Sequence, residues 1–320
     1  MSILVSGSLV YDHIMNFPDS FKNHIMPDRI HILNVCFGVE RLQKSWGGTA
    51  GNIALTMKML GMEPLVVSSV GSDGAEYLKH LEKKNVSTKF IHTDKEQLTA
   101  SAYITTDADD NQITAFYNGP LCEEHTLSLR EIKEPISLAL ISPTQKQVMM
   151  KHMKECAELQ IKAVFDPGQQ MTAFDEIELK KMISQAHFVI GNDYEIGLLQ
   201  KRTGWDAREL LKNTKVLITT LGERGSVITT AEGEEIEVDP CAPQSFDDPT
   251  GAGDAYRAGF FVGFELGYNW KTCGQMGSVA ASYAIETFGT QEHDFTLQQF
   301  RDRYSKAYGE EIALLHGQSK

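Results

Sequence analysis

Short apolar runs recur along the chain and alternate with segments of helical periodicity. The runs are nearly continuous in apolar residues, which is typical of strands that are buried on both faces. They lie at 3–5, 65–70, 138–141, 163–165, 187–190 and 216–219. The repeated order of strand, helix and strand predicts an α/β fold, with a central, mainly parallel sheet flanked by helices.

Three segments between these runs are predicted to be helices. The first has apolar residues at the spacing i, i+3, i+4 and i+7, which is the pattern of one buried helix face. Its apolar residues are Ala50, Ile53, Ala54, Met57 and Leu60. The other two segments are 145–160 and 175–185. These helices are expected to cover the sheet.

Two stretches, 10–44 and 86–118, break this order. They lack helical periodicity and contain alternating Thr, Tyr and Phe, as in residues 102–105. Residues 107–111 (Asp-Ala-Asp-Asp-Asn) are predicted to form a hairpin turn between two strands. We therefore expect a small β-sheet lid inserted into the α/β domain. The remaining core domain would comprise residues 1–9, 45–85 and 119–320.

Charge and cysteine content narrow the class of protein. The chain of 320 residues has 43 Asp and Glu against 30 Lys and Arg, a net charge of −13, which repels phosphate backbones and argues against nucleic acid as a partner. Its five cysteines are widely spaced without a CxxC pair, which favours reduced thiols in a cytoplasmic protein. No Lys or Arg precedes Lys22 and no apolar run has the length of a membrane span, so neither a signal peptide nor a membrane is expected.

Residues 246–259 contain a Gly-rich turn that opens a helix. Gly251 and Gly253 let the backbone bend where a β-carbon would clash, and Pro249 keeps the chain extended before the turn. An apolar stripe of helical spacing follows, made of Ala255, Ala258, Gly259, Val262 and Leu266. Because the first N–H groups of a helix lack carbonyl partners, this turn is predicted to bind an anion such as phosphate, even in an acidic protein.

Asp254 lies directly beside this predicted anion site. A carboxylate there repels phosphate unless it has a chemical role, and the natural role is to accept the proton of a hydroxyl that attacks a phosphoryl group. The alternative is that Asp254 only stabilises the first helical turn. The residues alone leave both interpretations open. The P-loop and dinucleotide-binding glycine motifs are absent from the sequence.

Two segments of the chain resemble the paired signatures of the ribokinase-like (PfkB) family of sugar and nucleoside kinases. Residues 248–254 (Asp-Pro-Thr-Gly-Ala-Gly-Asp) are similar to the C-terminal signature, and residues 46–54 are similar to the N-terminal one. Between them, residues 192–195 resemble the family's Asn-x-x-Glu motif, and residues 220–225 resemble its Thr-x-Gly-x-x-Gly nucleotide turn. The resemblance spans nearly the whole chain and implies a ribokinase-like fold.

The resemblance also implies a role for each motif. Asp254 would be the catalytic base, and Gly251, Ala252 and Gly253 would form the anion hole for the transferring γ-phosphate. The ATP site would comprise Thr220, Gly222, Gly225 and Asn192, with Asn192 and Glu195 organising Mg²⁺ through its waters. The substrate would be held by Asp12, Gly47, Gly48 and Asn52.

Each motif has a plain structural interpretation as well. The glycine pair at 47–48 fits a turn before a helix with Asn52 on its surface, and Asp12 fits a turn. The 192–195 motif fits a helix cap with a first-turn acid, and the 220–225 motif fits an ordinary loop. Taken singly, each motif allows both the structural and the functional interpretation. The occurrence of all of them in the expected order favours the functional one.

Features of the sequence favour a nucleoside as the substrate. Residues 165–170 (Phe-Asp-Pro-Gly-Gln-Gln) and the start of the C-terminal signature as Asp-Pro-Thr resemble the adenosine-kinase branch of bacteria and archaea. Aromatic side chains in or beside the lid offer faces for a purine, although such residues commonly form lid core. They are Phe37, Trp46, Phe116 and Tyr117.

The resulting prediction is an ATP-dependent kinase that phosphorylates the 5′-hydroxyl of a nucleoside, adenosine in particular. A sugar kinase of the same family is the alternative, and a nucleotide-binding sensor without turnover is a third reading. Pro249 replaces a Thr common in sugar kinases, which puts a K⁺ site in doubt. Arg41 and Lys44 precede the glycine pair but are expected to be solvated loop charges rather than a sugar-phosphate clamp. The protein is expected to be a monomer or a homodimer.

Overall fold

The computed structural model describes residues 2–109 and 111–314. Thirteen strands and nine α-helices follow one another in these ranges. The strands are β1 (Ser2–Ser6), β2 (Val10–Asn16), β3 (Arg41–Gly47), β4 (Leu65–Val70), β5 (Ile91–Thr93), β6 (Ser101–Thr106), β7 (Gln112–Tyr117), β8 (Ile136–Ile141), β9 (Lys162–Phe165), β10 (Phe188–Asn192), β11 (Val216–Thr220), β12 (Ser226–Thr230) and β13 (Glu235–Val238). The helices are α1 (Thr49–Met59), α2 (Ala75–Lys83), α3 (Lys146–Leu159), α4 (Glu176–Gln185), α5 (Asp193–Thr203), α6 (Ala207–Asn213), α7 (Ala252–Glu265), α8 (Trp270–Ile285) and α9 (Leu297–Tyr308).

The large sheet has nine strands in the order β13-β12-β11-β10-β9-β8-β1-β4-β5. The strands from β11 to β5 in this order are parallel, and β12 and β13 are antiparallel at one edge. The central strands are buried on both faces, as Ile3 and Leu4 show with 0% exposure each. This explains the continuous apolar runs in the sequence and confirms the predicted mainly parallel α/β sheet.

Helices cover the sheet in two layers, each with its own apolar core. Ile3 and Val5 point into one core, which α1, α7, α8 and α9 complete, whereas Leu4 points into the other with α3 and α4. This alternation follows from the two-residue period of a strand. Among the described residues, no helix has both the length and the apolar composition to cross a membrane.

A second sheet of four strands, in the order β3-β2-β6-β7, forms the lid. The predicted turn between β6 and β7 is present, and Asp107 organises it by accepting hydrogen bonds from the backbone N–H groups of Asp109 and Asn111, at 2.9 and 2.8 Å. The same carboxylate accepts from the N–H of Phe21 at 2.8 Å, which ties the hairpin to the first lid segment. The small separate sheet is therefore confirmed.

The predicted lid boundaries differ from the observed strands at two points. β3 continues to Gly47, beyond the expected end at residue 44. β5, which lies inside the predicted 86–118 segment, pairs with β4 of the large sheet, and the N–H of Asp94 donates to the carbonyl of Val70 at 2.9 Å. That part of the boundary was wrong, because alternating Thr and aromatic residues mark a β-strand without showing which sheet it joins. The assignment of core and lid as domains stays a prediction.

Candidate active site

The two glycine signatures meet where α1 and α7 begin. The side-chain amide of Asn52 on α1 donates a hydrogen bond of 2.8 Å to Oδ2 of Asp254 on α7. Each helix starts after a glycine with positive φ, which is 92° at Gly48 and 84° at Gly251. Side chains rarely adopt this backbone conformation, so both turns need glycine. The fold thus brings together residues that the sequence separates by 202 positions.

Asp248 fixes the turn that precedes α7. Its Oδ1 accepts from the N–H of Thr250 at 2.9 Å, and its Oδ2 accepts from the N–H of Gly289 at 3.1 Å. A β-carbon on Gly251 would come to 3.1 Å from that of Thr290. The turn is therefore held on both sides before any ligand binds.

Free N–H groups lie at the start of α7. Ala252 donates its N–H to the carbonyl of Pro249 at 3.2 Å, so it is not available to an anion. Within residues 2–109 and 111–314, the N–H groups of Gly253 and Asp254 have no acceptor in hydrogen-bond range. Within the same residues the N–H of Gly251 also lacks an acceptor, so the helix N-terminus offers three donors, and of the predicted anion hole only Ala252 has its N–H occupied.

Asp12 lies on β2 of the lid beside the glycine pair. A β-carbon on Gly47 would fall 2.0 Å from Oδ2 of Asp12, so the close approach of the carboxylate requires glycine there. Burial and the charge of Asp254 raise the pKa of Asp12 to about 7. The two carboxylates therefore face the same confined space. A hydroxyl group that donates a hydrogen bond to Asp12 would stabilise its ionised form.

Asp254 itself has a shifted pKa. Burial raises it to about 6, while the nearby guanidinium of Arg257 and the hydrogen bond from Asn52 act in the opposite direction. A carboxylate of this pKa is ionised at neutral pH yet is basic enough to receive a proton. The side chain that the sequence predicts to be the base is thus held by Asn52, and its role stays a prediction.

Arg257, one turn along α7 from Asp254, forms a buried ion pair that the sequence reasoning missed. Its Nη2 lies 2.6 Å from Oδ1 of Asp166, with 10% and 1% of the side chains exposed. Asp166 belongs to the segment 165–170, which the sequence analysis singled out for another reason. An Arg directly before Ala258 of the apolar stripe was the available signal, because a buried Arg requires a partner.

Gln291 and Tyr77 support Asn52 and Gly47 and carry no sequence motif. Gln291 donates from Nε2 to Oδ1 of Asn52 at 2.9 Å and to the hydroxyl of Tyr77 at 2.5 Å. Tyr77 in turn donates to the carbonyl of Gly47 at 2.6 Å. The network orients the amide of Asn52 so that its Nδ2 faces Asp254. No pattern in the sequence pointed to these two residues.

The 192–195 motif forms a capping box at the start of α5. Oδ1 of Asn192 accepts from the N–H of Glu195, and Oε2 of Glu195 accepts from the N–H of Asn192, both at 2.8 Å. The capping interpretation is therefore correct for this motif. It leaves the second carboxylate oxygen of Glu195 free of the cap, and burial raises the pKa of this carboxyl.

The predicted nucleotide turn follows β11, which ends at Thr220. Gly222 and Gly225 both have positive φ, 60° and 83°. A β-carbon on Gly225 would lie 2.0 Å from the carbonyl oxygen of Val238, so the turn packs closely on the end of β13. Thr220 and the two glycines lie together at one end of the sheet, beside Asn192, whose strand pairs with β11 as Asn192 opposite Thr220.

The family model for pfkB carbohydrate kinases matches residues 8–296. The chain belongs to the PfkB family of carbohydrate kinases. The family and the kinase class predicted from the paired signatures are confirmed, as is the ribokinase-like fold.

Some relatives of this chain are nucleoside kinases by name, and others are a 6-phosphofructokinase and ribokinases. A nucleoside kinase of Methanocaldococcus jannaschii is 30% identical over 85% of this chain and 90% of its own length. The structure of Burkholderia thailandensis nucleoside kinase in complex with inosine has a TM-score of 0.88 and 33% identity, and covers 97% of this chain and 99% of that one. The ADP-inosine complex of the same enzyme has a TM-score of 0.86 and 34% identity, and covers 99% of each chain.

PfkB kinases imply Mg²⁺, and the donor set near α7 suits it. Among the described residues, Oδ2 of Asp166 is buried and has no hydrogen-bond partner. The negative charges of Asp166 and Glu195 both raise the pKa of Asp254, so the three carboxylates lie near one another. Mg²⁺ prefers oxygen ligands and keeps several waters. Carboxylate oxygens that are buried and only partly paired fit that chemistry.

The lid aromatics divide between the two faces of the lid sheet. Pairing of Asp12 with Ala102, and of Ala102 with Phe116, puts Phe116 on the face of Asp12, where it is 48% exposed. Tyr117 lies on the opposite face, because neighbouring residues of a strand alternate. The two other aromatic candidates pack into aromatic clusters; Phe37 contacts Phe17 and Phe21, and Trp46 contacts Tyr11, Tyr77 and His80.

Proposed function

We propose that this protein is an ATP-dependent nucleoside kinase that phosphorylates the 5′-hydroxyl of adenosine or a related nucleoside. The observation that carries the proposal is the hydrogen bond between Asn52 and Asp254. It joins the N-terminal signature, residues 46–54, to the C-terminal signature, residues 248–254. The names of the relatives support the choice of a nucleoside over a free sugar.

The substrate hydroxyls would bind between the lid and the start of α1. Asp12 accepts from the ribose hydroxyls, and such donors stabilise its ionised form, whose pKa is otherwise raised to about 7. The backbone at Gly47 and Gly48 approaches closely because neither residue has a β-carbon. This arrangement suits a sugar ring with adjacent hydroxyl groups.

The purine would lie against the face of the lid sheet that carries Asp12. Phe116 and Ile104 share that face by strand register, and Ile14 lies two residues beyond Asp12 on it. Apolar and aromatic surface beside a carboxylate matches a nucleoside, which has a flat base joined to a polar ribose. A free sugar would leave this surface without a partner.

The chemical step would use Asp254 as the base. The substrate hydroxyl gives its proton to Asp254 while its oxygen bonds to the γ-phosphorus, and the bond from that phosphorus to the β–γ bridging oxygen breaks to release ADP. The free N–H groups of Gly251, Gly253 and Asp254 would stabilise the negative charge on the transferring group. Asn52 holds the carboxylate in line for the proton.

Mg²⁺, when bound with ATP, would neutralise phosphate charge. Glu195 and Asn192 would hold it through water, with the capping box fixing the position of Glu195. Thr220, Gly222 and Gly225 would line the nucleotide. Dependence on a monovalent cation such as K⁺ stays a prediction.

A sugar-phosphate kinase would need basic side chains near Asp12 to bind the phosphate group of its substrate. Lys44 and Arg41, which precede the glycine pair, do not supply them. Lys44 pairs with His13 across the strands, on the opposite face of the lid sheet from Asp12. Its ammonium lies 3.6 Å from the centroid of the Tyr11 ring and 3.6 Å from Glu76. Arg41 is exposed at the far start of β3. A neutral acceptor is therefore favoured over a sugar phosphate.

A panel of acceptors with Mg-ATP tests the proposal. We expect ADP release to be fastest with adenosine, inosine or guanosine, and much slower with ribose or fructose. ADP release with ribose or fructose and with no nucleoside would show that the protein is a sugar kinase. ATP binding without phosphorylation of any acceptor would favour the alternative of a nucleotide-binding sensor.

A matched pair of lid variants tests the purine position. Phe116→Ala removes an aromatic face beside Asp12 and should raise KM for adenosine on the order of tenfold, since base stacking contributes about 1–3 kcal/mol. Tyr117→Ala removes a comparable ring from the opposite face and should leave KM within a factor of about two. Equal effects of the two variants would contradict the assignment.

A further inference from the structure

Away from the proposed nucleotide and substrate sites, His92, Asp94 and His125 bring three potential metal ligands together. His92 lies on β5 at the edge of the large sheet, Asp94 follows that strand, and His125 ends a short 3₁₀ turn, Glu123–His125. One ligand atom from each of the three side chains lies within 4.8 Å of the other two. We propose that these residues form a binding site for a divalent transition-metal ion of the zinc type.

The ligand types select the class of ion. Two imidazoles and one carboxylate suit Zn²⁺ and its neighbours, whereas Mg²⁺ and Ca²⁺ prefer oxygen ligands throughout. Nε2 of His125 lies 3.0 Å from Oδ2 of Asp94. Two ligands of a tetrahedral zinc with bonds of about 2.1 Å are about 3.4 Å apart, so this pair is already near the required spacing. Water would fill the fourth position.

The surroundings hold the ligands in place. Oδ1 of Asp94 accepts from the N–H groups of Glu96 and Gln97, at 2.7 and 2.8 Å, which leaves Oδ2 directed at His125. The carbonyl of His125 accepts from the hydroxyl of Ser69 at 2.6 Å, so the backbone at this ligand is anchored to β4. Hydrogen-bonded supporting groups of this kind orient ligands in metal sites.

An ordinary ion pair between Asp94 and His125 does not account for His92. Its ring stacks on that of His125, with centroids 5.4 Å apart and planes 13° from parallel. In the part of the chain that the structure describes, the His92 nitrogens have no hydrogen-bond partner. A metal ion shared with Asp94 and His125 would give one of these nitrogens a partner.

The position of the site gives the ion a structural consequence. Asp94 precedes the lid hairpin made of β6 and β7, and His125 follows it, so the ion would tie together the two chain segments that enter and leave the hairpin. Binding to the folded protein alone raises its stability in proportion to RT ln(1 + [L]/Kd). Zn²⁺ is therefore expected to stabilise the base of the lid.

Zinc titration of the full chain, without a purification tag, tests the site. The background variant Cys36→Ser removes an exposed thiol that would compete for zinc. We expect one Zn²⁺ per chain by calorimetry, and weaker binding in His92→Ala and His125→Ala by more than the roughly 10- to 100-fold caused by loss of an outer-shell partner. His31→Ala, which removes an exposed histidine elsewhere, should bind zinc like the background protein.

Two further readouts keep the test independent of folding defects. Co²⁺ in the site should give the visible absorption of a tetrahedral complex, and EDTA should abolish it. Zn²⁺ should raise Tm in the background and His31→Ala proteins but not in His92→Ala, whose Tm without metal should equal that of the background. Absence of stoichiometric binding, or binding and a Tm rise that persist unchanged in His92→Ala, would overturn the proposal.

Discussion

The amide of Asn52 donates to Oδ2 of Asp254 over 2.8 Å and so joins two helices whose sequence motifs are 202 residues apart. Asn52 is 5% exposed within the apolar face of α1, and Asp254 lies beside amides that attract anions. The hydrogen bond between them offsets part of the cost of burying an amide and a carboxylate, and it fixes the position of the carboxylate.

Asp12→Asn should stabilise the protein at alkaline pH and weaken substrate binding. Because folding raises the pKa of Asp12 from 3.8 to about 7, its contribution to stability is full below the unfolded value and is lost as the pH rises through about 7. Asn cannot ionise, so the variant should gain stability at pH 8, by at most about 4 kcal/mol for a shift of this size, and little at pH 4. Denaturant unfolding at both pH values measures this.

The same variant should raise KM for adenosine, because Asn accepts the ribose hydroxyls less strongly than a carboxylate. A variant that is less stable at pH 8, or one with unchanged KM, would contradict the role given to Asp12. A variant that is more stable but binds substrate less tightly is expected when a buried carboxylate is kept for binding at a cost in stability.

Gly47→Ala should displace Asp12 and impair catalysis. The added methyl would lie 2.0 Å from Oδ2 of Asp12, so the carboxylate must move. A misplacement of about 1 Å in a site can reduce the rate about 100-fold, and we expect a loss of this order in kcat/KM. Gly197→Ala on α5 is the control, since nothing lies within 4 Å of its added carbon, and it should keep full activity. Normal kinetics in Gly47→Ala would be inconsistent with the proposed substrate site.

Arg257→Gln should both destabilise the fold and shift the pH profile. Breaking its buried pair with Asp166 leaves an uncompensated charge, which typically costs about 3–5 kcal/mol. Arg257 also lowers the pKa of Asp254, so its loss should raise that pKa above about 6. Because the base must be deprotonated, the acid limb of kcat/KM should move to higher pH.

Arg303→Gln supplies the control for this shift. Arg303 forms another largely buried pair, with Glu286 at 2.7 Å and side chains 11% and 14% exposed. It should lose stability too, but its pH profile should match that of the wild type. If both variants shift the profile equally, the change reflects general destabilisation and not the charge near Asp254.

Glu195→Gln should weaken the response to Mg²⁺ without unfolding α5. Gln can serve in a capping box, so the helix start should survive, whereas the charge that attracts the ion is lost. We expect the Mg²⁺ concentration at half-maximal rate to rise about tenfold. Glu178→Gln changes the equivalent residue of the capping box on α4 and should leave the Mg²⁺ dependence as it was. An unchanged Mg²⁺ requirement in Glu195→Gln would show that Glu195 only caps α5 and does not help to bind the ion.

The sequence predicted the core of the fold well, because its signals are local. Runs such as 138–141 are apolar on both faces, and the glycines at 48 and 251 mark positive φ at two helix starts. These properties are set by neighbouring residues in the chain, so they can be recognised without knowledge of the tertiary structure. The same holds for the capping box at Asn192.

The rest depended on contacts between distant segments. Arg257 with Asp166, and Gln291 with Asn52, are pairs that only the packed helices bring together. Likewise, β5 joins the large sheet through pairing with β4, which its own three residues do not specify. The metal ligands at the base of the lid escaped notice for the same reason.

Phosphoryl transfer by Asp254→Asn tests the account most directly. Rapid-quench measurement with Mg-ATP and adenosine should show a loss of about 100- to 10,000-fold in the transfer rate, the usual contribution of a general base, while ATP affinity stays near that of the wild type. Asp175→Asn makes the same change at the N-cap of α4 and should lose little stability, because Asn caps a helix about as well as Asp, and it should keep its transfer rate. Transfer by Asp254→Asn within a few-fold of the wild-type rate would show that Asp254 only stabilises its helix and would contradict the proposed mechanism.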